Sequence, residues 1–384
     1  MYRLLILLLS VITWLPIAAA QTPQANTQQI TDIAERQVFV PTNIQRIILG
    51  EGRFLTALSV IDPQIATTKI VGMLGEMQRY DPGTWEQFRR VMPNIEKIPV
   101  IGGKGANSFS VEKAIALKPD VAIFGLQKGH GPTLKNTSIL EKLEAANIPV
   151  VFIDFRQKPL EHTTQSMAIL GRLLSKTERA EQFNRLYQQA LDQVLEPLSR
   201  IKTPKPKVFL HSRVGLFTEC CETIAHQMFA DFIDAAGGHN MGRDLLPGDH
   251  GMVNLEYLLA NQPDIYIGTA IGHFQQKTSD VNTLISGAFI SEDIVQRSLH
   301  KASQTRGFDY LNAIKQQRMH SIWHHFYISP FNVVAVQVMA KWFYPDTFAH
   351  LQPDALLTRF HQDFLPFDRD GVYWASLQPQ QRQP

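Results

Sequence analysis

The sequence contains few of the features that mark enzymes, membrane proteins and nucleic-acid-binding proteins. Among its 384 residues only two are cysteines, and the formal net charge is +2. Two cysteines cannot build a disulfide framework or a cysteine-based zinc site, and a balanced charge gives no global attraction to nucleic acid or to an anionic membrane. No segment reaches the ~18 to 20 consecutive apolar residues that a membrane-spanning helix needs. A specific function must therefore depend on local groups of residues.

The sequence also lacks the common catalytic motifs. It contains no Gly-x-Ser-x-Gly elbow, no Gly-x-x-x-x-Gly-Lys phosphate loop and no helical His-x-x-x-His pair. The Gly-Gly-Lys-Gly stretch at residues 102–105 is not followed by the Lys-Ser/Thr pattern of a phosphate loop, so we interpret it as a turn. We therefore expect neither enzymatic activity nor a resident cofactor.

The first residues predict the compartment. Met1-Tyr2-Arg3 is followed by an apolar run over residues 4–17 and then by Ala18-Ala19-Ala20, which is the pattern of a secretory signal peptide spanning residues 1–20. No cysteine follows the predicted cleavage site, so we expect no lipid anchor. The polar residues 21–36 predict a flexible lead. We expect a soluble protein exported to the periplasm.

Short apolar strands alternate with helices through the rest of the chain, which predicts an α/β fold with mostly parallel, doubly wound sheets. The long amphipathic segment over residues 175–200 predicts a single helix, and Ser175 and Glu178 have the spacing of a capping box. Prolines at 204 and 206 end it. We predict an N-terminal lobe (37–174), one long bridging helix (175–201) and a C-terminal lobe (202–384).

An internal repeat supports two lobes of one architecture. Residues 111–123 align without gaps to residues 255–267, and each unit consists of a helix, a Pro-Asp turn and a buried strand. Matching units on either side of a long helix predict two similar lobes that face each other across a cleft.

The order and spacing of these segments resemble the periplasmic substrate-binding proteins of ABC importers for ferric siderophores, haem and cobalamin. The resemblance extends from residue 46 to about residue 373, and its segments are 69–72, 112–120, 143–150, the bridging helix and 256–264. It implies a rigid two-lobed monomer that binds its ligand between the lobes and delivers it to an ABC permease dimer in the inner membrane.

The resemblance also assigns a role to Glu112 and Glu256, which match the glutamates that reach arginine pockets of the permease in that family. Two carboxylates at equivalent positions can form charge-assisted pairs with guanidinium groups and so orient docking. In the alternative interpretation, each glutamate only stabilises the positive end of its own helix.

Candidate ligand-binding residues lie in loops that follow strands, because ligands of open α/β sheets bind beyond the carboxyl ends of the strands. Cationic and aromatic side chains dominate these loops, which suits an anionic and partly planar ligand; the alternative for each is a solvated loop residue. His324 and His325 are adjacent, so only one of them can face the cleft from an extended segment. The candidates in these loops are Arg53, Arg79, Tyr80, Lys128, Arg213, His325 and Tyr327, and two more, His250 and Arg306, lie in loops that could overhang the cleft.

These observations predict a binding protein that captures a ferric siderophore, with iron present only as part of the bound chelate. The first alternative is haem or a cobalamin-like corrinoid as ligand. A second alternative is a periplasmic metalloenzyme that uses His250, His273, His324 and His325. The adjacent Cys220 and Cys221 form either two buried thiols or a vicinal disulfide.

Overall fold

The computed structural model describes residues 26–103, 105–127, 129–217, 219–275 and 283–379. The predicted signal peptide and Lys128 lie outside these ranges. Within them, no helix combines the length and the apolar character that crossing a membrane requires.

The strands are β1 (Thr27–Thr31), β2 (Gln37–Pro41), β3 (Ile47–Leu49), β4 (Ile70–Met73), β5 (Val121–Gly125), β6 (Val150–Ile153), β7 (Lys207–His211), β8 (Glu222–Ile224), β9 (His239–Asn240), β10 (His250–Met252), β11 (Ile265–Ala270), β12 (Met319–Trp323) and β13 (Trp374–Ser376). The α-helices are α1 (Phe54–Ile61), α2 (Ile65–Thr68), α3 (Glu76–Tyr80), α4 (Pro82–Val91), α5 (Val111–Ala116), α6 (Thr137–Ala145), α7 (Pro159–Leu173), α8 (Thr177–Leu198), α9 (Phe229–Ala235), α10 (Gly242–Leu245), α11 (Leu255–Ala260), α12 (Glu292–Ser303), α13 (Asn312–Lys315), α14 (Asn332–Phe343) and α15 (Pro353–Phe364).

Each lobe is built on one central sheet. The N-terminal sheet has the strand order β4-β3-β5-β6 and is parallel throughout. The C-terminal sheet has the order β13-β12-β11-β7-β9 and is parallel except for β13. Strands β5 and β11 are buried along their whole length, as expected for strands covered by helices on both faces. The predicted α/β architecture is confirmed.

The aspartate of the Pro-Asp turn makes the same kind of hydrogen bond in both halves of the internal repeat. Asp120 Oδ2 accepts a 2.8 Å hydrogen bond from the backbone N–H of Arg46, directly before β3. Asp264 Oδ2 accepts one of 2.8 Å from the backbone N–H of Lys207, the first residue of β7. The aspartate thus ties its turn to the neighbouring parallel strand in each lobe, which explains why the repeat contains this dipeptide.

The bridging helix is α8, and it begins later than predicted. Ser175 has a positive φ of 55°, Lys176 is the N-cap residue, and no side chain caps the helix, so the predicted capping box is wrong. The helix packs on α14 through a buried 2.6 Å hydrogen bond from Tyr187 Oη to Asn332 Oδ1. The apolar face of the helix comprises Ala180, Phe183, Leu186, Tyr187, Ala190, Leu191 and Val194.

One hydrophobic core runs through α8 into both lobes. It joins β5 of the N-terminal sheet to β7 and α14 of the C-terminal lobe, and Phe183 of α8 lies within it, 6.3 Å from the ring of Phe331. Moving the lobes apart at this core would expose apolar surface to water. We therefore expect only modest relative motion of the lobes.

The prediction of a flexible lead is wrong for residues 27–36. Strands β1 and β2 form an antiparallel hairpin, and Asp32 between them is buried. Its carboxylate accepts hydrogen bonds from the Arg36 guanidinium at 2.7 Å and from the backbone N–H of Phe152 at 3.2 Å. These contacts attach the hairpin to β6, and composition alone does not reveal them.

Candidate functional site

Arg53 links the two lobes at the base of the cleft. It follows β3, and it is only 3% exposed. Its Nη1 donates to Tyr327 Oη at 2.8 Å and lies 3.1 Å from His325 Nδ1, both in the C-terminal lobe. Its Nη2 donates to Glu51 Oε1 at 2.6 Å within its own lobe. Three of the residues in this contact, Arg53, His325 and Tyr327, are sequence-predicted candidates, and the fold brings them together.

A second buried arginine completes the cluster. Arg156 follows β6, and its Nη2 donates to the same Glu51 Oε1 at 2.5 Å. The Arg53 and Arg156 guanidinium carbons lie 5.4 and 5.3 Å from the centre of the Tyr327 ring. Glu51 and Arg156 are not among the residues predicted from the sequence, although both follow sheet strands, as most of the predicted residues do.

Glu51 is ionised between the two guanidinium groups. Burial disfavours its charge, but the positive charges of Arg156 and then Arg53 outweigh that effect and lower the pKa of Glu51 to about 2. Because one carboxylate serves two guanidinium groups, the three groups together carry an excess of one positive charge.

The hydrogen bonds of His325 define its tautomer. A guanidinium group only donates, so Nδ1 of His325 accepts from Arg53 and Nε2 carries the proton. The ring also bonds the backbone carbonyl of Tyr80, an acceptor that suits this Nε2–H. Burial foremost, and then the Arg53 charge, hold the pKa of His325 well below its usual value. The neutral ring of His325 thus ties the C-terminal lobe to Arg53 and to Tyr80 of the N-terminal lobe.

His324 points elsewhere. Its Nδ1 lies 3.0 Å from Thr269 Oγ1, and its ring stacks on Phe229 at 6.2 Å, both within the C-terminal lobe. The two histidines occupy a 3₁₀ helix, His324–Ile328, and not the extended segment that the sequence analysis assumed. Of the two, His325 is the one that contacts Arg53 of the N-terminal lobe.

Other candidates lie around the cleft. The rings of Tyr80 and His130 are 5.0 Å apart, and the Arg79 guanidinium carbon is 5.4 Å from the centre of the Tyr80 ring. Arg213 Nε donates to Glu222 Oε2 at 2.8 Å, so Glu222 balances its charge. Arg53 and Arg156, rather than Arg213, therefore provide the excess positive charge.

Two candidates lie apart from the cluster. His250 is exposed on β10, opposite Ile224 of β8. Arg306 is exposed in the segment after α12, two residues before Phe308. The ring of Phe308 packs 5.4 Å from the ring of Tyr266, near the amino end of β11. The expectation that Arg306 overhangs the cleft is wrong, because α12 carries the chain back to the amino ends of the strands.

Within the described part of the chain, the crevice found between the lobes is narrow. A crevice of ≈ 10 Å³ lies beside His325, which is room for about one water molecule. Its lining includes Tyr80, Gly83, His273, Ser286 and Trp323. A ligand larger than a few atoms would not fit this crevice unless the lobes or their loops moved apart.

The histidines of the metalloenzyme alternative do not converge. His324 packs inside the C-terminal lobe and His250 is exposed. No group of three or more His, Cys, Asp or Glu side chains suited to a metal ion occurs in the described ranges.

Two further sequence features have defined positions. Glu112 and Glu256 are exposed in the first turns of α5 and α11, the two halves of the repeat. Lys142 Nζ lies 3.9 Å from Glu112 Oε1. Cys220 and Cys221 are joined in a vicinal disulfide, which is one of the two states that the sequence analysis left open.

Comparison with known proteins agrees with this architecture. The chain superposes on the TroA-like periplasmic binding protein FepB from Veillonella parvula with a TM-score of 0.81 and 25% identity, over 91% of this chain and 99% of that one. It shares its fold with MolA of Haemophilus influenzae bound to molybdate, at a TM-score of 0.67 and 17% identity over 90% and 99% of the two chains.

In sequence, the chain is 29% identical to the molybdate-binding protein MolA of Haemophilus influenzae over 127 residues. This match spans 33% of the chain and 32% of the relative. The family model for periplasmic binding proteins matches residues 84–281, about half of the chain. With its two parallel-sheet lobes and its bridging helix, the chain belongs to the periplasmic binding protein family.

Proposed function

We propose that this protein captures an anionic metal species between its lobes and delivers it to an ABC permease. The observation that carries the proposal is the pair of buried guanidinium groups, Arg53 and Arg156, which share one carboxylate oxygen of Glu51. Buried charges are costly unless they are paired. An anion that enters beside them would form charge-assisted hydrogen bonds with the two guanidinium groups.

The second lobe contributes neutral hydrogen-bonding groups to the same place. The Tyr327 hydroxyl group now accepts a hydrogen bond from Arg53, and it can rotate to donate one to an anion. The ligand would therefore contact both lobes and favour their closed arrangement.

Two ligands of this class are candidates. The first is a ferric siderophore, which the arrangement of arginine and aromatic side chains suits and which the sequence analysis predicts; haem and corrinoids are larger alternatives that need a wider opening. The second is a small metal oxyanion such as molybdate. The narrow crevice of ≈ 10 Å³ and the similarity to MolA favour the second candidate.

Native mass spectrometry of the protein purified from its own periplasm would identify the ligand by its mass. We expect an iron chelate or an oxyanion, and titration of the emptied protein with ferric citrate and sodium molybdate would then measure its affinity. Failure of every iron chelate, tetrapyrrole and oxyanion to bind would contradict the proposed function.

A further inference from the structure

Glu76 is a buried carboxyl group beside the charged cluster. It is the first residue of α3, and its side chain has no solvent exposure. Its Oε1 accepts a 3.0 Å hydrogen bond from the backbone N–H of Arg53, while the Arg53 guanidinium Nε lies 3.8 Å away. Its Oε2 is buried and has no hydrogen-bond partner of standard geometry among the described residues. Burial thus disfavours an ionised Glu76, and the backbone N–H groups of Gly52 and Arg53 favour it.

The charged groups that act on Glu76 are Glu51 and Arg53, both from the loop before α1. Arg156, from the loop after β6, contacts Glu51, and buried Asp81 is the N-cap residue of α4, five positions after Glu76. The C-terminal lobe contributes neutral His325 and Tyr327 through their contacts with Arg53, and His130 faces Glu51.

The charge of the cluster depends on the state of Glu76. With Glu76 ionised, the two guanidinium groups are balanced by two carboxylates, Glu51 and Glu76, and the net charge is zero. With Glu76 protonated, the same four groups carry +1. Glu51 cannot make this change, because both guanidinium groups hold it in the ionised form.

We propose that Glu76 couples anion capture to proton uptake: as the anion enters beside Arg53 and Arg156, the Glu76 carboxylate takes one proton from solvent and becomes a neutral carboxyl group. No covalent bond other than the new O–H bond changes. Glu76 does not contact the ligand; it changes the charge of the cluster that binds the ligand. This inference rests on the proposed function.

The energetics of Glu76 agree with this role. Burial foremost, and then the negative charge of Glu51, outweigh the attraction of Arg53 and raise the pKa of Glu76 to about 7. Burial also raises the pKa of Asp81, to about 6. Protonation of Glu76 removes a carboxylate that would repel an anionic ligand. The site therefore favours anionic ligands over neutral ones.

Linkage predicts the sign and size of the pH effect. If binding takes up one proton, the affinity for the anion falls about tenfold for each pH unit above the pKa of Glu76 in the unliganded protein and levels off below it. Without the coupling, the affinity stays constant as Glu76 titrates.

Isothermal titration calorimetry at pH 8 tests the inference, with sodium molybdate and ferric citrate as probes. Repeating each titration in two buffers of different ionisation enthalpy counts the protons exchanged. We expect the wild type to take up close to one proton and Glu76→Gln to take up close to none, with an affinity that is constant from pH 7 to pH 9. Glu86→Gln, a carboxyl-to-amide change on the outer face of α4, should behave like the wild type.

The outcomes separate this inference from the proposed function. Anion binding by the wild type without proton uptake overturns the role of Glu76 and leaves the function intact, as does uptake that persists in Glu76→Gln. Absence of binding at every pH overturns both. If Glu76→Gln does not fold, carbon-13 NMR of the wild type with labelled glutamate carboxyl groups decides, because one resonance must move to the protonated position when the probe binds at pH 8.

Discussion

Arg53 of the N-terminal lobe donates a 2.8 Å hydrogen bond to the hydroxyl group of Tyr327 of the C-terminal lobe. The guanidinium group that we assign to the anion therefore also holds the lobes together while the cleft is narrow. An entering ligand has to share or replace this contact, so lobe closure and ligand binding depend on the same atoms.

Replacing Tyr327 with phenylalanine should weaken the contact between the lobes. The change leaves one buried N–H of the Arg53 guanidinium without its partner, which costs about 1–3 kcal/mol. Urea unfolding should show the loss, while Tyr310→Phe, at a residue that is 63% exposed, should not. Equal unfolding free energies for wild type and Tyr327→Phe would show that the hydrogen bond adds nothing to stability.

Arg156→Lys should retain the charge beside Glu51 but weaken the anion site. An ammonium group lacks the planar set of donors with which a guanidinium group can serve Glu51 and an anion together, and the loss of one charge-assisted hydrogen bond lowers affinity by roughly tenfold or more. Calorimetric titration with the ligand identified by mass spectrometry measures this change. Arg89→Lys on the outer face of α4 is the control, and an unchanged affinity in Arg156→Lys would remove Arg156 from the site.

Acid should destabilise the protein through buried His320. Burial foremost, and then the charge of Arg318, lower the pKa of His320 to about 3 in the folded protein, whereas the unfolded chain protonates near its ordinary pKa of 6.5. The unfolded state therefore binds more protons between these values, and the unfolding free energy decreases by about 1.4 kcal/mol per pH unit as the pH falls below 6.5.

His320→Gln should reduce this acid dependence, as measured by urea unfolding between pH 7 and pH 4.5. The exposed His350 provides the matched control, because His350→Gln should leave the slope unchanged. If His320→Gln and the wild type show the same slope, His320 is not the group responsible.

Glu112→Ala combined with Glu256→Ala should abolish transport and leave ligand affinity unchanged. Both side chains are exposed in equivalent helices of the two lobes, away from the buried arginine cluster. Uptake of radiolabelled ligand by cells, together with titration of the purified variant, separates docking from binding. The double variant Glu141→Ala with Glu181→Ala, at exposed helical positions, is the control, and loss of ligand binding in the first pair would argue against a docking role.

Gln189→Pro should break the bridging helix. Gln189 is exposed in the middle of α8, and proline there removes a helical hydrogen bond and clashes with the preceding turn, at a cost of ~3 kcal/mol or more. Thermal unfolding and transport should both be impaired, whereas Gln189→Ala should be close to wild type. Normal transport by the proline variant would mean that α8 is only a linker.

The repeat and the bridging helix could be predicted from the sequence because their signals are local. Apolar spacing along α8 and the Pro-Asp turns depend on residues close together in the chain, and the structure has both elements. The capping box failed for an equally local reason: Ser175 has a positive φ, so the helix begins later. The hairpin β1–β2 was missed because it depends on contacts of Asp32 with residue 152.

The sequence by itself determined the alternation of strands and helices, the two related halves and the loops in which binding residues could occur. Only the tertiary structure decided which of them meet, because Arg53 and Tyr327 are 274 positions apart and no pattern along the chain encodes that distance. It brought Glu51, Arg156 and Glu76 to the same cluster, and it placed Arg306 at the far end of its lobe. Charge balance and burial are properties of such assembled groups, so the charge state of the cluster arises only in the folded protein.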